Sequence, residues 1–341
     1  MEKKGQITIK DIARELSISP STVSRALKNH PDISSKTKEA VHELAKKYHY
    51  KPNAVALSLR SNKTHMIGVI IPNIVHYFFS SVISGIERVC NDAGYNVMIC
   101  QSDENEEREI TSIQTLTSSR IDGLLASVSK DTTDFTHYKE LLEDNLPLVF
   151  FDRAVKELNT DKVIIDDVKG AFIATEHLIQ EGCKKIIHLA APQNLLIGQR
   201  RKEGYIKALQ QYGLPVDESL IFKCDSRDEA LEIMPKIFDS GIKPDGIFAV
   251  NDLTATGVLK IVKKYGFNVP KDIKVVGFSD GFVANVTDPT LTTIDQHGFE
   301  MGKQAAQLLL DRINETIDNY SPVTKVIPTN LIKRESTGFY S

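Results

Sequence analysis

The chain lacks several features that mark common classes of protein. None of its apolar runs approaches the length of a membrane span, and its first residues, MEKKGQITIKD, contain no apolar signal-peptide segment. The four cysteines are far apart, and neither they nor the nine histidines show the spacing of a metal site. We therefore expect a cytoplasmic protein with no membrane partner and no metal, and with reduced, mostly buried thiols at Cys90, Cys100, Cys183 and Cys224.

Motifs of nucleotide-binding proteins and enzymes are also missing. No Gly-x-Gly-x-x-Gly follows a predicted strand, and no Gly-x-x-x-x-Gly-Lys-Ser/Thr is present. The sequence contains no visible nucleophile–base set or cofactor motif. It therefore predicts a protein that is not an enzyme and that needs no cofactor.

Residues 8–27, TIKDIARELSISPSTVSRAL, predict two short helices joined by a tight turn. Thr8 can cap the first helix, with Asp11 as its reciprocal partner. Ser19 can cap the second helix, and Pro20 suits its first position because the missing N–H has no helical partner there. The pattern favours a helix-turn-helix, and the alternative is an ordinary helical hairpin.

The predicted second helix has two different faces. Val23, Ala26 and Leu27 share an apolar face that can pack on the first helix. Short hydroxyl side chains and Arg25 lie on the opposite face and its flanks. Small side chains allow close approach to base edges, and arginine can bind guanine bidentately. This face is suited to reading a DNA major groove; otherwise it is a solvated surface.

Charge is distributed unevenly along the chain. Residues 1–61 contain 12 basic and 6 acidic residues, a balance of +6, whereas the other 280 contain 30 and 39, a balance of −9. A third predicted helix at 35–47, capped by Ser34, would complete a small basic head. The asymmetry points to phosphate contact by this head, unless it arises by chance.

Residues 51–62 predict a short hinge helix with Asn53 as its cap. So short a helix is marginal in water, and its apolar residues have nothing of their own to bury against. One interpretation is a hinge that folds when two copies meet over DNA, with Leu59 as a minor-groove wedge. The other is a plain linker between domains.

From Met66 the sequence alternates between buried strands and helices, which indicates an α/β core with parallel sheets. The apolar pattern predicts strands at 66–71, 123–126, 148–151 and 186–190, among others, and helices that include 106–118 and 201–212. A second series of strands is predicted to begin at 163–166. Asp122-Gly123 and Asp245-Gly246 each precede a predicted strand and form a weak internal echo. Two such halves would enclose a ligand cleft at the carboxyl ends of their strands.

The chain resembles LacI/GalR-type transcriptional regulators from end to end. The resemblance is carried, in order, by TIKDIARELSISPSTVSRAL, KPNAVALSLRS, IGVIIPN with Phe78-Phe79, RIDGLL, FFDR, DGIFAVND, VPKDIKVVGFSD and LTTIDQ. It implies a small all-α helix-turn-helix head plus an α/β periplasmic-binding-protein-like core of two doubly wound parallel-sheet subdomains. It also implies that the chain crosses between the core halves three times.

The resemblance gives the following domain bounds. The head would span 1–50, the hinge helix 51–62 and the core 63–341. Subdomain 1 would comprise about 63–161 and 298–321, and subdomain 2 about 162–294 and 325–341. The absence of a leucine-heptad tail leads us to expect a homodimer.

The same resemblance implies two sets of site residues. The DNA contacts would be Thr8, Ser19, Ser21, Thr22, Ser24, Arg25, Ser34, Thr37, Asn53 and Leu59. The effector contacts would be Phe78, Phe79, Asp152, Arg201, Asn251, Asp252, Ser279 and Gln296. Each effector residue suits a polyol, because carboxylates and amides bind hydroxyls and aromatic rings cover apolar ring faces.

Three of these assignments have structural alternatives, and two segments depart from the family pattern. The phenylalanines could be simple core, Asp252 only a helix cap, and Arg201 a surface ion pair. Ser279-Asp280 replaces the usual aspartate after Gly-Phe, and Cys224-Asp225-Ser226 stands where a cleft aromatic is expected.

We therefore expect a sequence-specific DNA-binding repressor whose affinity for double-stranded operator DNA is switched by a small polar ligand, a sugar or sugar derivative. A solute-binding protein of the periplasmic type and a purine-responsive regulator are the alternatives.

Overall fold

The computed structural model describes residues 7–50, 63–314 and 321–339. The chain divides into two compact units between Thr64 and His65. The predicted hinge at 51–62, including Asn53 and Leu59, lies outside the described residues.

The head is built from three helices, α1 (Ile9–Glu15), α2 (Pro20–Leu27) and α3 (Ser35–Lys47). Their apolar faces share one small core, because the helical spacing places the apolar residues of each helix on one side. Its buried members are Ile12, Ala13, Val23, Ala26 and Val41. This arrangement confirms the predicted helix-turn-helix head.

Local hydrogen bonds fix the ends of the head helices as predicted. The Thr8 backbone N–H donates to Asp11 Oδ2 at 2.9 Å, and the Thr22 N–H donates to Ser19 Oγ at 3.1 Å. Ser17 turns the chain between α1 and α2 with φ of 52°, in the left-handed region that few residues other than glycine adopt. The turn is closed by the Ile18 N–H, which donates to the Ala13 carbonyl at 3.0 Å.

The core alternates strands and helices as the hydrophobic pattern predicts. Its elements are β1 (Met66–Ile71), α4 (Tyr77–Asp92), β2 (Asn96–Gln101), α5 (Glu106–Ser118), β3 (Gly123–Ala126), α6 (Thr136–Glu143), β4 (Leu148–Phe151), β5 (Asp161–Ile165), α7 (Asp167–Gln180), β6 (Ile186–Ala190), α8 (Leu196–Gln211), β7 (Ile221–Lys223), α9 (Arg227–Asp239), β8 (Gly246–Ala249), α10 (Asp252–Lys264), β9 (Lys274–Val276), α11 (Phe282–Val286), β10 (Thr293–Asp295), α12 (Gly298–Asn314), β11 (Thr324–Ile327) and β12 (Asn330–Ile332).

The strands form two parallel sheets and one small antiparallel pair. The first sheet has the order β11-β5-β4-β3-β1-β2, and the second has the order β7-β6-β8-β9. Strands β10 and β12 pair antiparallel. Helices connect parallel strands within each sheet, as between β1 and β2 and between β6 and β7, because parallel pairing requires a crossover. The two sheets define the two halves of the core.

Two strands lie in a different half from the one expected. The segment predicted to open the second series, now β5, pairs with β4 and β11, so both β5 and β11 belong to the first sheet. The prediction is wrong for these strands, because an apolar run indicates burial but not its pairing partner. Asp161, fully buried at the start of β5, accepts a hydrogen bond from Arg312 Nε at 2.7 Å and another from the Val323 N–H at 2.7 Å. These bonds bring β11 to the edge of the first sheet.

Helix α12 lies in the first half, where the resemblance places it. It packs on α4 at backbone contact, since a Cβ on Gly85 would meet the Phe299 carbonyl and one on Gly302 would meet the Val82 carbonyl. Its buried residues cover β3, β4 and β5. The chain therefore leaves the first half after β5, returns with α12 and leaves again after β11.

Candidate functional site

The predicted DNA-contacting face of the head is present at the surface. Ser21 and Arg25 are exposed on α2, with Thr22 and Ser24 half-buried beside them, while Val23 is fully buried on the opposite side. Ser19 Oγ lies 2.6 Å from Ser21 Oγ, which makes a short row of hydroxyls at the start of the helix. The remaining predicted contacts in the described residues are Thr8 and Ser34, which are exposed, and Thr37, which is half-buried.

The core contains a cleft of about 360 Å³ between its two halves. Its walls come from the carboxyl ends of strands in both parallel sheets, the edge at which such folds bind ligands. Seven of the eight predicted effector contacts line it: Phe78, Phe79, Asp152, Arg201, Asn251, Ser279 and Gln296.

The first turn of α4 supplies the aromatic wall. Phe78 and Phe79 are 4% and 3% exposed, and their rings meet edge to face with centroids 5.3 Å apart. The pair therefore belongs to the core and lines the cleft at once. This position is compatible both with simple core packing, the alternative for these two residues, and with their predicted contact with the effector.

Asp152 follows β4 and has an unusual environment. No described residue donates a hydrogen bond to its carboxylate, whose nearest cationic neighbour is Arg153, with Nε 4.0 Å from Oδ2. Burial raises the pKa of the Asp152 carboxyl to about 6. Its backbone also adopts a left-handed conformation with φ of 57°. A buried acceptor without a donor in a cleft is suited to a ligand that donates hydrogen bonds.

Two residues with buried, unpartnered atoms line the cleft and are not among the predicted effector contacts. His76 Nδ1 and Arg153 Nε are buried and have no hydrogen-bond partner among the described residues. Burial, together with the nearby Arg153, lowers the pKa of His76 to about 4, so its imidazole is neutral. Their positions in the sequence could have indicated both residues. His76 stands just before α4, which carries Phe78 and Phe79, and Arg153 directly follows Asp152 in FFDR.

Arg201 on α8 is the centre of the second wall and is only 4% exposed. Its Nε donates to Asp167 Oδ1 at 2.8 Å, and Nη1 donates to the Val250 carbonyl at 2.7 Å. The guanidinium also lies 3.8 Å from the centroid of the Phe278 ring. Because Asp167 is 2% exposed, the alternative of a surface ion pair is wrong.

Asn251, Ser279 and Gln296 complete the second wall. Asn251, not Asp252, caps α10, because its Oδ1 accepts from the Thr254 N–H at 2.8 Å. Gln296 Nε2 donates to Ser279 Oγ at 2.8 Å, and both residues line the cleft. The next residue, Asp280, instead pairs with Arg334 Nη2 at 2.7 Å.

Asp252 is not among the described residues that line the cleft, although the family resemblance implies that it contacts the ligand. Its carboxylate is 2% exposed and accepts from the Gly281 N–H at 2.7 Å and from Thr293 Oγ1 at 2.5 Å. These bonds turn it toward the segment that carries Ser279. Asp252 is the first residue of α10, and its side chain points to the segment that carries Ser279 rather than into the cleft. The geometry therefore gives Asp252 a supporting role, in which it positions a residue that lines the cleft.

Comparison with known proteins identifies both units. The family described as "Bacterial regulatory proteins, lacI family" matches residues 8–53, and "Periplasmic binding proteins and sugar binding domain of LacI family" matches residues 64–335. The chain belongs to the LacI family. Membership makes it a DNA-binding regulatory protein whose core has the family's sugar-binding fold, as the sequence motifs indicated.

Individual relatives support the same family. The chain is 33% identical over 332 residues to the ribose operon repressor of Halalkalibacterium halodurans, covering 97% of each protein. The structure of a transcriptional regulator CelR–cellobiose complex matches with a TM-score of 0.74 and 28% identity, covering 97% of this chain and 99% of that one. The lac repressor dimer bound to operator and the anti-inducer ONPF shares the fold, with a TM-score of 0.86 at 24% identity and coverage of 97% and 99%.

Two further features of the described residues bear on the chemistry. No helix in these ranges is both long and apolar enough to cross a bilayer. All four cysteines are free thiols, and burial raises the pKa of Cys90 to about 11. Cys183 and Cys224 are also buried, whereas Cys100 is partly exposed on β2.

Proposed function

We propose that the protein is a cytoplasmic transcriptional repressor without enzymatic activity, whose operator affinity changes when a small sugar or sugar derivative fills the core cleft. The observation that carries this proposal is the set of unsatisfied polar groups in that cleft. The Asp152 carboxylate accepts no hydrogen bond, and His76 Nδ1 and Arg153 Nε have no hydrogen-bond partner among the described residues, with Arg153 Nε 4.0 Å from Asp152 Oδ2. A ligand with several hydroxyls can donate to Asp152 and accept from Arg153 Nε, and because each hydroxyl both donates and accepts, it can pair with His76 Nδ1 in either tautomer.

The aromatic wall also suits a sugar. Phe78 and Phe79 offer an apolar surface next to polar groups, which matches the apolar faces and hydroxyl edges of a sugar ring. Ribose and cellobiose are the sugars named for the relatives described above. They are therefore the first probes to use with this chain.

For the head, we propose that Arg25 and the hydroxyls around it read operator DNA. Their exposure on α2, opposite the buried Val23, supports this role. The other proposed contacts are Thr8, Ser34 and Thr37, with Asn53 and Leu59 from the hinge.

We propose a homodimer as the DNA-binding species. Large apolar side chains are exposed on the core, among them Val75 at 88%, Phe282 at 63% and Val286 at 60%. Tyr77 lies against Gly281, directly before Phe282, so part of this surface is continuous between α4 and α11. Exposed apolar patches of this kind mark association surfaces. Sedimentation at increasing protein concentration should give a dimer, which Phe282→Glu should weaken.

The decisive experiment joins the two sites. A pool of random duplexes would be selected on the purified protein, and the selected sequence would then be titrated with and without ribose, cellobiose and purine bases. We expect a sequence preference over random DNA and a change of at least about tenfold in operator affinity with one of the sugars. Purine binding without sugar binding would support the purine-responsive alternative. Ligand binding with no preference among DNA sequences would support the solute-binding alternative.

A further inference from the structure

At the rim of the cleft, Lys130 contacts both halves of the core. Lys130 follows β3 in the first half, and its Nζ lies 3.7 Å from Oδ1 of Asp225, which follows β7 in the second half. Its carbonyl oxygen accepts a hydrogen bond of 2.6 Å from Asn194 Nδ2, just before α8 in the second half. One residue of the first half thus contacts two separate segments of the other half.

The first-half side of this contact is firmly anchored. The Lys130 N–H donates to Glu104 Oε2 at 2.8 Å, and Glu104 in turn accepts from Arg153 Nη1 at 2.6 Å. The preceding Ser129 N–H donates to Oε2 of the fully buried Glu109 at 2.7 Å. The segment is therefore fixed to its own half, and rotation of the halves would break the contacts to Asn194 and Asp225 rather than stretch them.

These contacts lie at the entrance of the cleft. The side chains of Lys130 and Asp225 are 30% and 13% exposed, compared with 4% for Arg201 in the interior. Both residues nevertheless line the cleft. A hinge motion that opens the cleft separates its rim first and farthest, so contacts placed there resist opening most effectively.

We infer that Lys130, Asn194 and Asp225 form a rim latch that holds the cleft closed and sets the rate at which its ligand leaves. The inference concerns the regulation of the proposed effector site and rests on the proposed function. The latch contacts form in the closed cleft and are absent from the open one, so they favour the closed arrangement. Because the ligand binds to the closed cleft, they raise its affinity without touching it.

The competing explanation is that Lys130 binds the ligand directly, since it also lines the cleft. A double-mutant cycle separates the two roles, because contacting residues give non-additive effects and independent ones give additive effects. The variants are Lys130→Met, Asp225→Asn and their combination. Lys207→Met is the matched control, because Lys207 pairs at 2.6 Å with Glu203 within α8 and bridges no halves.

The first measurement uses the full chain without any ligand. Hydrogen exchange would be followed in the peptides that cover 192–197 and 224–228. We expect exchange to be about threefold to tenfold faster in each single variant, no faster still in the double variant, and unchanged in the control. Unchanged exchange in Lys130→Met would overturn the latch.

The second measurement uses ribose and cellobiose as probes, by calorimetry and stopped-flow. Each single variant should raise the dissociation constant and the dissociation rate by about threefold to tenfold, and the double variant should add little. Additive losses would assign Lys130 to direct ligand contact and contradict the latch. If neither sugar binds the unmodified protein, the proposed ligand class fails, while the exchange measurement still decides the latch.

Discussion

The carboxylate of Asp252 accepts a 2.7 Å hydrogen bond from the Gly281 backbone N–H and thereby ties the start of α10 to the segment that carries Ser279. Thr293 Oγ1 donates to the other carboxylate oxygen at 2.5 Å. Asp252, which was expected to contact the ligand, therefore positions residues that line the cleft instead. Its effect on the ligand would pass through Ser279 and its partner Gln296.

We predict that Asp252→Ala lowers both ligand affinity and stability. Alanine leaves the buried Gly281 N–H without its acceptor, at a cost of about 1–3 kcal/mol, and removes the bond from Thr293 Oγ1. Urea unfolding and sugar calorimetry would measure the two effects. Asp272→Ala is the control, because Asp272 also accepts from a backbone N–H, that of Asn268 at 2.7 Å, but lies at the surface. Equal effects of the two substitutions would contradict the supporting role.

Replacing Asp152 should have the opposite effect on stability, because its carboxylate accepts no hydrogen bond from a described residue. Burial raises its pKa from the ordinary 3.8 to about 6, so the folded protein favours the protonated form. The carboxylate therefore costs stability as the pH rises from about 4 to above 6, and the cost is fully present at pH 8. Because no described residue donates to it, asparagine removes this cost and loses no hydrogen bond.

We predict that the free energy of unfolding of Asp152→Asn, relative to that of the unmodified protein, increases by about 1–3 kcal/mol as the pH rises from 4 to 8. The same substitution should weaken sugar binding, since the ligand loses a strong acceptor. Unfolding curves for both proteins at several pH values would give the difference directly. A constant difference across this range would mean that Asp152 titrates normally.

Arg25 should supply base-specific binding energy. Its guanidinium is exposed on α2, whose opposite side is buried in the head. We predict that Arg25→Ala weakens operator binding by about 1–3 kcal/mol and leaves binding to random DNA nearly unchanged at the same salt concentration. Arg14→Ala is the control, since Arg14 is an exposed arginine of α1 that pairs with Asp11 at 3.5 Å and is not a predicted contact. Equal losses on both DNAs would contradict base reading.

Local patterns predicted the secondary structure well. The bounds of β1, β3, β4 and β6 follow directly from short apolar runs, and α5 is predicted at its observed limits, with Asn105 accepting from the Arg108 N–H as its cap. Helix α8, however, begins at Leu196, five residues before the predicted start at Arg201. The apolar pattern is weak there, and no side chain caps the helix.

Long-range relationships were harder to predict. Strand β5 pairs with β11, and Asp161 at the start of β5 bonds to Arg312, some 150 residues later in the chain. No local sequence pattern contains a relationship over such a distance. Most of the effector contacts that the resemblance implies do line the cleft. The direction in which each side chain points, however, could not be predicted from the sequence. Asp252 and Asp280 accept hydrogen bonds from protein groups, whereas His76 and Arg153 line the cleft and each have one buried nitrogen without a hydrogen-bond partner.

The contact between α4 and α12 gives a stability prediction with a defined sign. Glycine inside a helix normally costs up to about 1 kcal/mol relative to alanine, so Gly302→Ala would stabilise an isolated α12. In the folded core, however, the added Cβ would meet the Val82 carbonyl oxygen, which belongs to the backbone of α4 and cannot rotate away. We therefore predict a net destabilisation of about 1–3 kcal/mol in urea unfolding, because overpacking forces the helices apart. Gln307→Ala, at an exposed position of the same helix, should be nearly neutral. A stabilising Gly302→Ala would show that α4 and α12 do not approach at backbone contact in solution.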